Sequence, residues 1–65
     1  MHNFTIYLNG KTFAKGIFKN NKIVQISEGV SPYIQKCLLN SIMSSCKTFG
    51  NFEHHSTSYF WTLDS

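Results

Sequence analysis

Asn9-Gly10 stands between two short apolar runs, Phe4 to Leu8 and Thr12 to Ala14, and no other pair in the chain constrains so much. Both residues accept the positive φ angles of a two-residue type I′ turn, so the flanking runs close into an antiparallel hairpin. The register follows: Leu8 faces Lys11, Tyr7 faces Thr12, Ile6 faces Phe13 and Phe4 faces Lys15. A second pair, Asn20-Asn21, tolerates the same backbone and opposes Lys19 to Lys22, Phe18 to Ile23 and Ile17 to Val24.

Side chains alternate faces along a strand, so the two registers can be checked against each other. They agree on a core face of Phe4, Ile6, Leu8, Phe13, Ile17, Val24 and Ile26. The opposite face then carries Thr5, Tyr7, Thr12, Ala14, Gly16, Phe18, Ile23 and Gln25. One residue conflicts with this assignment. Lys15 points into the apolar face, which calls either for a bulge at Gly16 or for its stem to reach the rim.

Ser31-Pro32 is a helix start, with a hydroxyl to cap free amides and a proline preset for the first helical position. Gly50 is the expected stop. On a helical wheel Ile34, Leu38, Leu39, Ile42, Met43, Cys46 and Phe49 share one broad arc opposite Lys36, Asn40, Ser44 and Lys47, so the helix lies on the sheet. After a loop over Asn51 to His54, the β-branched and aromatic run Ser56 to Leu63 makes a last strand, with Tyr59, Trp61 and Leu63 on one face and Phe60 on the other. The predicted architecture is a single small α+β domain over 1–65. A three-stranded antiparallel meander, one amphipathic helix on one sheet face and a fourth strand follow in the order β-β-β-α-β.

At 65 residues, with 42% hydrophobic and 15% aromatic, the chain can close a core but is too short for a second domain. No apolar run approaches the roughly 20 residues that span a bilayer. Met1 to Ile6 carry neither a charged leader nor an unbroken apolar region of secretory type, and the expected location is cytoplasmic. Cys37, Cys46, His54 and His55 have the chemistry of zinc ligands but not the paired spacing. The cysteines stand nine apart on opposite sides of one helix, so neither a metal site nor a disulfide is expected. A Cys37-His54 or Cys37-His55 nucleophile pair lacks an orienting third group, and Glu28, Glu53 and Asp64 read as solvated charges rather than an acid and base pair. No phosphate loop, dinucleotide fingerprint or H-E-x-x-H is present. The expectation is therefore not an enzyme, with no cofactor and no small-molecule substrate.

The net charge is +3, all six basic residues are lysine, and Lys11, Lys15, Lys19 and Lys22 fall within twelve residues. Without arginine forks, any nucleic-acid affinity would be mostly sequence-independent and salt-sensitive. One helix covers one sheet face, which leaves Tyr7, Phe18, Ile23 and Phe60 as candidate docking anchors beside those lysines. Ser31-Pro32 and Trp61 resemble, in outline, small domains associated with restriction and DNA-methylation systems. The alanine pair in the helix and the Asn-Gly-Trp step of those domains are absent here. In compositional style a short, lysine- and asparagine-rich chain opening on Met1 resembles complete small gene products of phages and mobile elements. The expected function is a small non-enzymatic regulator or inhibitor that docks on a protein partner, with a basic nucleic-acid-binding module as the alternative. A homodimer across the open face is the cheapest way to cover it.

Overall fold

The computed structural model describes residues 1–64. Five strands and one helix follow in the order β1 (His2–Leu8), β2 (Lys11–Lys19), β3 (Lys22–Ile26), α1 (Pro32–Ser44), β4 (Phe49–His54) and β5 (Thr57–Asp64). All strand pairs are antiparallel, and their order across the sheet is β3-β2-β1-β5-β4. The α+β class and the opening meander are as the sequence indicated, with one strand more than it indicated. No helix is long and apolar enough to cross a membrane among the described residues.

Both asparagine turns form as expected, with Asn9, Gly10, Asn20 and Asn21 all at positive φ. Leu8 pairs with Lys11 and Tyr7 with Thr12, but Ile6 then pairs with Ala14, so Phe13 is an extra residue in β2. A one-residue bulge reverses the facing of everything beyond it. Ala14, Gly16 and Phe18 consequently turn inward, and Ile17 and Lys15 turn outward. The conflict at Lys15 is resolved by this bulge, two residues earlier in the strand, and not at Gly16. A second shift leaves Val24 unpaired between Ile23, opposite Phe18, and Gln25, opposite Ile17, and Val24 is 56% exposed. Phe13, Ile17 and Val24 thus leave the expected core, while Ala14 and Phe18 join it and Ile23 packs against it.

Helix α1 begins where the sequence placed it. The Ser31 hydroxyl accepts the Tyr33 amide at 3.2 Å and Pro32 opens the first turn. It ends six residues before Gly50. The Ser44 hydroxyl donates to the Asn40 carbonyl, and Ser45 turns to extended backbone while its hydroxyl accepts the Lys47 amide. Serine side chains compete for backbone groups in this way and favour helix ends over interiors. Ile34, Leu38 and Ile42 are buried and Leu39 packs against the core, but Met43 and Cys46 are exposed and Phe49 belongs to β4. The segment read as a loop, Asn51 to His54, is most of an edge strand. It joins β5 through a two-residue turn at His55 and Ser56, both at positive φ.

The core lies between α1 and one face of the sheet, and Trp61, Phe4, Ile6 and Leu38 are its most enclosed side chains. Two of these rings rest on glycines of the adjacent strand. Phe4 pairs with Gly16 and Trp61 with Gly50. A Cβ at Gly16 would strike the Phe4 ring and the Gln25 carbonyl, and one at Gly50 would lie 2.7 Å from Trp61 Cζ2. The Trp61 indole N–H donates to Ser41 Oγ at 2.7 Å, and the Ser41 hydroxyl donates to the Asn51 carbonyl at 3.1 Å. Gly50→Ala is therefore expected to lower stability by about 1 to 3 kcal/mol through overpacking. Ser41→Ala should cost a similar amount, about 1 to 3 kcal/mol, by orphaning a buried donor. Urea denaturation of each variant measures both.

Candidate docking face

With α1 on one side, the other side of the sheet has no second layer from the described residues. Alternation from the observed registers places Asn3, Thr5 and Tyr7 of β1 on this face, with Thr12, Lys15 and Ile17 of β2 and Gln25 of β3. From the other half come Ser58, Phe60, Thr62 and Asp64 of β5 and Phe49, Asn51 and Glu53 of β4. Three aromatic rings run across three adjacent strands. Tyr7 and Phe60 are 6.0 Å apart and tilted by 37°, and Phe60 and Phe49 are 6.4 Å apart and tilted by 40°. Phe49 and Phe60 are 49% and 42% exposed. Thr5, at the centre of the face, is buried between its neighbours.

A shallow groove of about 490 Å³ opens beside the rings at the end nearer the Asn9-Gly10 turn, lined by Tyr7, Asn9, Asn51, Ser58, Phe60 and Thr62. It is more open than enclosed, whereas small-molecule sites enclose most of their ligand. The rings run from the central strand to the β4 edge and stand among threonine, serine and asparagine side chains.

Of the residues singled out in the sequence, Tyr7 and Phe60 meet on this face. Phe18 and Ile23 do not. Phe18 is 8% exposed and buried in the core, and Ile23 packs against that core near Pro32 and Leu39 of the helix side. The bulge at Phe13 moved both of them across the sheet. Lys15 lies on the open face, and Lys19 and Lys22 face each other beside the Asn20-Asn21 turn at one of its corners. Lys11 pairs with Leu8 at the far end of β2 and belongs to the opposite side by alternation. The registers also bring in residues that sequence reasoning passed over: Phe49, Ile17, Glu53 and Asp64. Lys47 sits 5.5 Å over the Phe49 ring. The signal for Phe49 and Glu53 was the alternation of Phe49, Asn51 and Glu53 with Gly50, Phe52 and His54, which the expected helix obscured.

Cys37 and Cys46 are free thiols. The His54 and His55 rings meet edge to face at 4.2 Å, and Tyr33 stacks on His54 at 6.4 Å. Among the described residues no group of three or more His, Cys, Asp or Glu side chains converges as metal ligands would. No protein-family model matches the chain, and no curated protein or solved structure matches it either.

The two placements make opposite demands on a buried charge. Phe18→Lys should prevent folding, because an unpaired ammonium in the core costs several kcal/mol, on the order of the whole stability of a small domain. Phe60→Lys, on the open face, should change stability by less than about 1 kcal/mol in the monomer. Circular dichroism melts of the two variants at low concentration separate these outcomes.

Proposed function

We propose that this protein is a small non-enzymatic docking module, a regulator or inhibitor in its mode of action, that works by pressing its open sheet face onto a protein surface. The strip of Tyr7, Phe60 and Phe49 carries this reading. Large rings held by a rigid sheet lose little conformational entropy on binding and are the residue types that dominate interface energies. Thr5, Thr62 and Ile17 give the strip a flat surround, and Lys15, Lys19 and Lys22 add a basic flank that steers approach toward acidic surfaces.

The same lysines also support a second reading, binding of nucleic acid by charge and stacking. Two features weigh against it. The rings lean on one another in one contiguous patch, where stacking platforms offer separate faces to successive bases. Glu53 and Asp64 share the face with the rings and would repel phosphates there.

A photo-crosslinking residue in place of Phe60 tests the docking reading against one in place of Tyr33, which is 71% exposed on the helix. Protein adducts are expected from position 60 and not from position 33. Equal yields from the two would overturn the reading. The nucleic-acid alternative predicts instead an affinity for single strands that falls steeply with salt, with a slope reduced by about 2 when Lys15 and Lys19 are both replaced by alanine.

A further inference from the structure

We infer that the surface fitted to the open sheet face is the same face of a second copy, in a two-fold dimer built as an orthogonal sheet-on-sheet sandwich. The inference rests on the docking reading above and names its partner.

Charge is placed on the face with a diagonal asymmetry. Lys19 and Lys22 stand beside the Asn20-Asn21 turn, at the corner where β2 ends and β3 begins. Glu53, opposite Ser58, stands beside the His55-Ser56 turn, at the corner diagonally across the sheet. Counting strands and register positions from one corner to the other, the midpoint falls at Thr5 of β1. A two-fold axis lying between two facing sheets, passing over Thr5 and perpendicular to that diagonal, sets each copy's lysine corner on the other's Glu53 corner. A two-fold contact has to be self-complementary, and this placement meets that requirement at the two charged corners.

Phe60 and Ile17 obey the same operation. Phe60 lies one strand from Thr5 toward Glu53, and Ile17 lies one strand from Thr5 toward the lysines, each two register positions along its strand. The rotation therefore lays Phe60 of each copy over Ile17 of the other. The strands of the two sheets then cross at a steep angle, close to the orthogonal of the two modes in which sheets pack.

The size of the face is adequate. Five strands about 4.8 Å apart, the longest of nine residues at about 3.4 Å each, bound it at about 700 Å² of flat projection. A standard interface buries about 800 Å² per partner, and side-chain relief adds to a projected area. One helix covers one sheet face, so a second copy would supply the missing layer on the other.

The experiment measures mass by light scattering or sedimentation from micromolar concentrations up to about 1 mM. Twice the chain mass is expected at the upper end, with a melting temperature that rises with concentration. Phe60→Lys should yield the monomer, whereas Tyr33→Lys should stay dimeric. Charge exchange tests the geometry directly. Glu53→Lys should weaken the dimer about tenfold or more, and Lys19→Glu with Lys22→Glu added to it should restore affinity to within about threefold. If Phe60→Lys fails to fold, the charge-exchange series decides. Monomeric mass throughout, or no rescue by the added reversals, overturns the dimer. Adducts from the position 60 crosslinker then separate the two proposals. Adducts at twice the chain mass support the second copy. Adducts with other proteins from a chain that is always monomeric overturn the dimer and keep the docking reading, and no adduct overturns both.

Discussion

The hydrogen bond from the Trp61 indole to Ser41 Oγ, 2.7 Å long, joins the helix to the last strand. Trp61 has no exposed surface, so its N–H must find a partner inside the protein, and Ser41 on the buried side of α1 supplies it. The serine passes the interaction on to the Asn51 carbonyl at the free edge of β4. Three elements are fixed by two bonds. The ring can sit there only because Gly50 leaves the space that a Cβ would fill. Among the described residues no buried side-chain nitrogen or oxygen lacks a partner.

Much of the rest follows from that arrangement. Once Gly50 is the seat for Trp61 it has to lie in a strand beside β5, so the helix has to end earlier, and the serines at 44 and 45 end it. Pairing of β4 with β5 extends the sheet to five strands and moves β3 and β4 to its edges. The edge at β4 is partly blunted by Ser41 and by Ser45, whose hydroxyl reaches the Phe49 carbonyl at 3.5 Å. The edge at β3 is short and broken by the bulge at Val24, devices that discourage edge pairing. With both edges guarded and one face covered, the open sheet face is left without a second layer among the described residues.

The facing of β2 was the part of the fold hardest to read in the sequence, and it decides the site. Strict alternation from Asn9-Gly10 put Phe18 and Ile23 outside and Ile17 and Phe13 inside. The one symptom of error was a lysine directed into the core at position 15. That symptom allowed either a bulge at Gly16 or a stem reaching the rim, and the structure has a bulge at Phe13 instead. Its location was not legible, because an extra residue can be inserted anywhere between the turn and the conflict at little cost in local propensity. What selects Phe13 is the fit of Gly16 under Phe4 and of Ala14 beside Ile6. Neither relation is visible until the sheet is assembled. Phe13 is not wasted by the choice: its ring rests 5.2 Å from Tyr59 at the margin of the core.

By itself the sequence determined the elements whose causes are local. The two asparagine turns need only residues that accept positive φ, the helix start needs only Ser31 and Pro32, and the last strand needs only its aromatic alternation, with Tyr59 and Trp61 inward and Phe60 outward. These are interactions between residues a few positions apart. The tertiary structure decided where the helix stops, that 49–54 is a strand, and on which side of the sheet Phe18, Ile17 and Lys15 stand. Those outcomes depend on the volume of an indole over a glycine and of a phenyl ring over another, contacts between residues distant in sequence. They are settled by packing in three dimensions, and with them the choice of Tyr7, Phe60 and Phe49 as the rings of the open face.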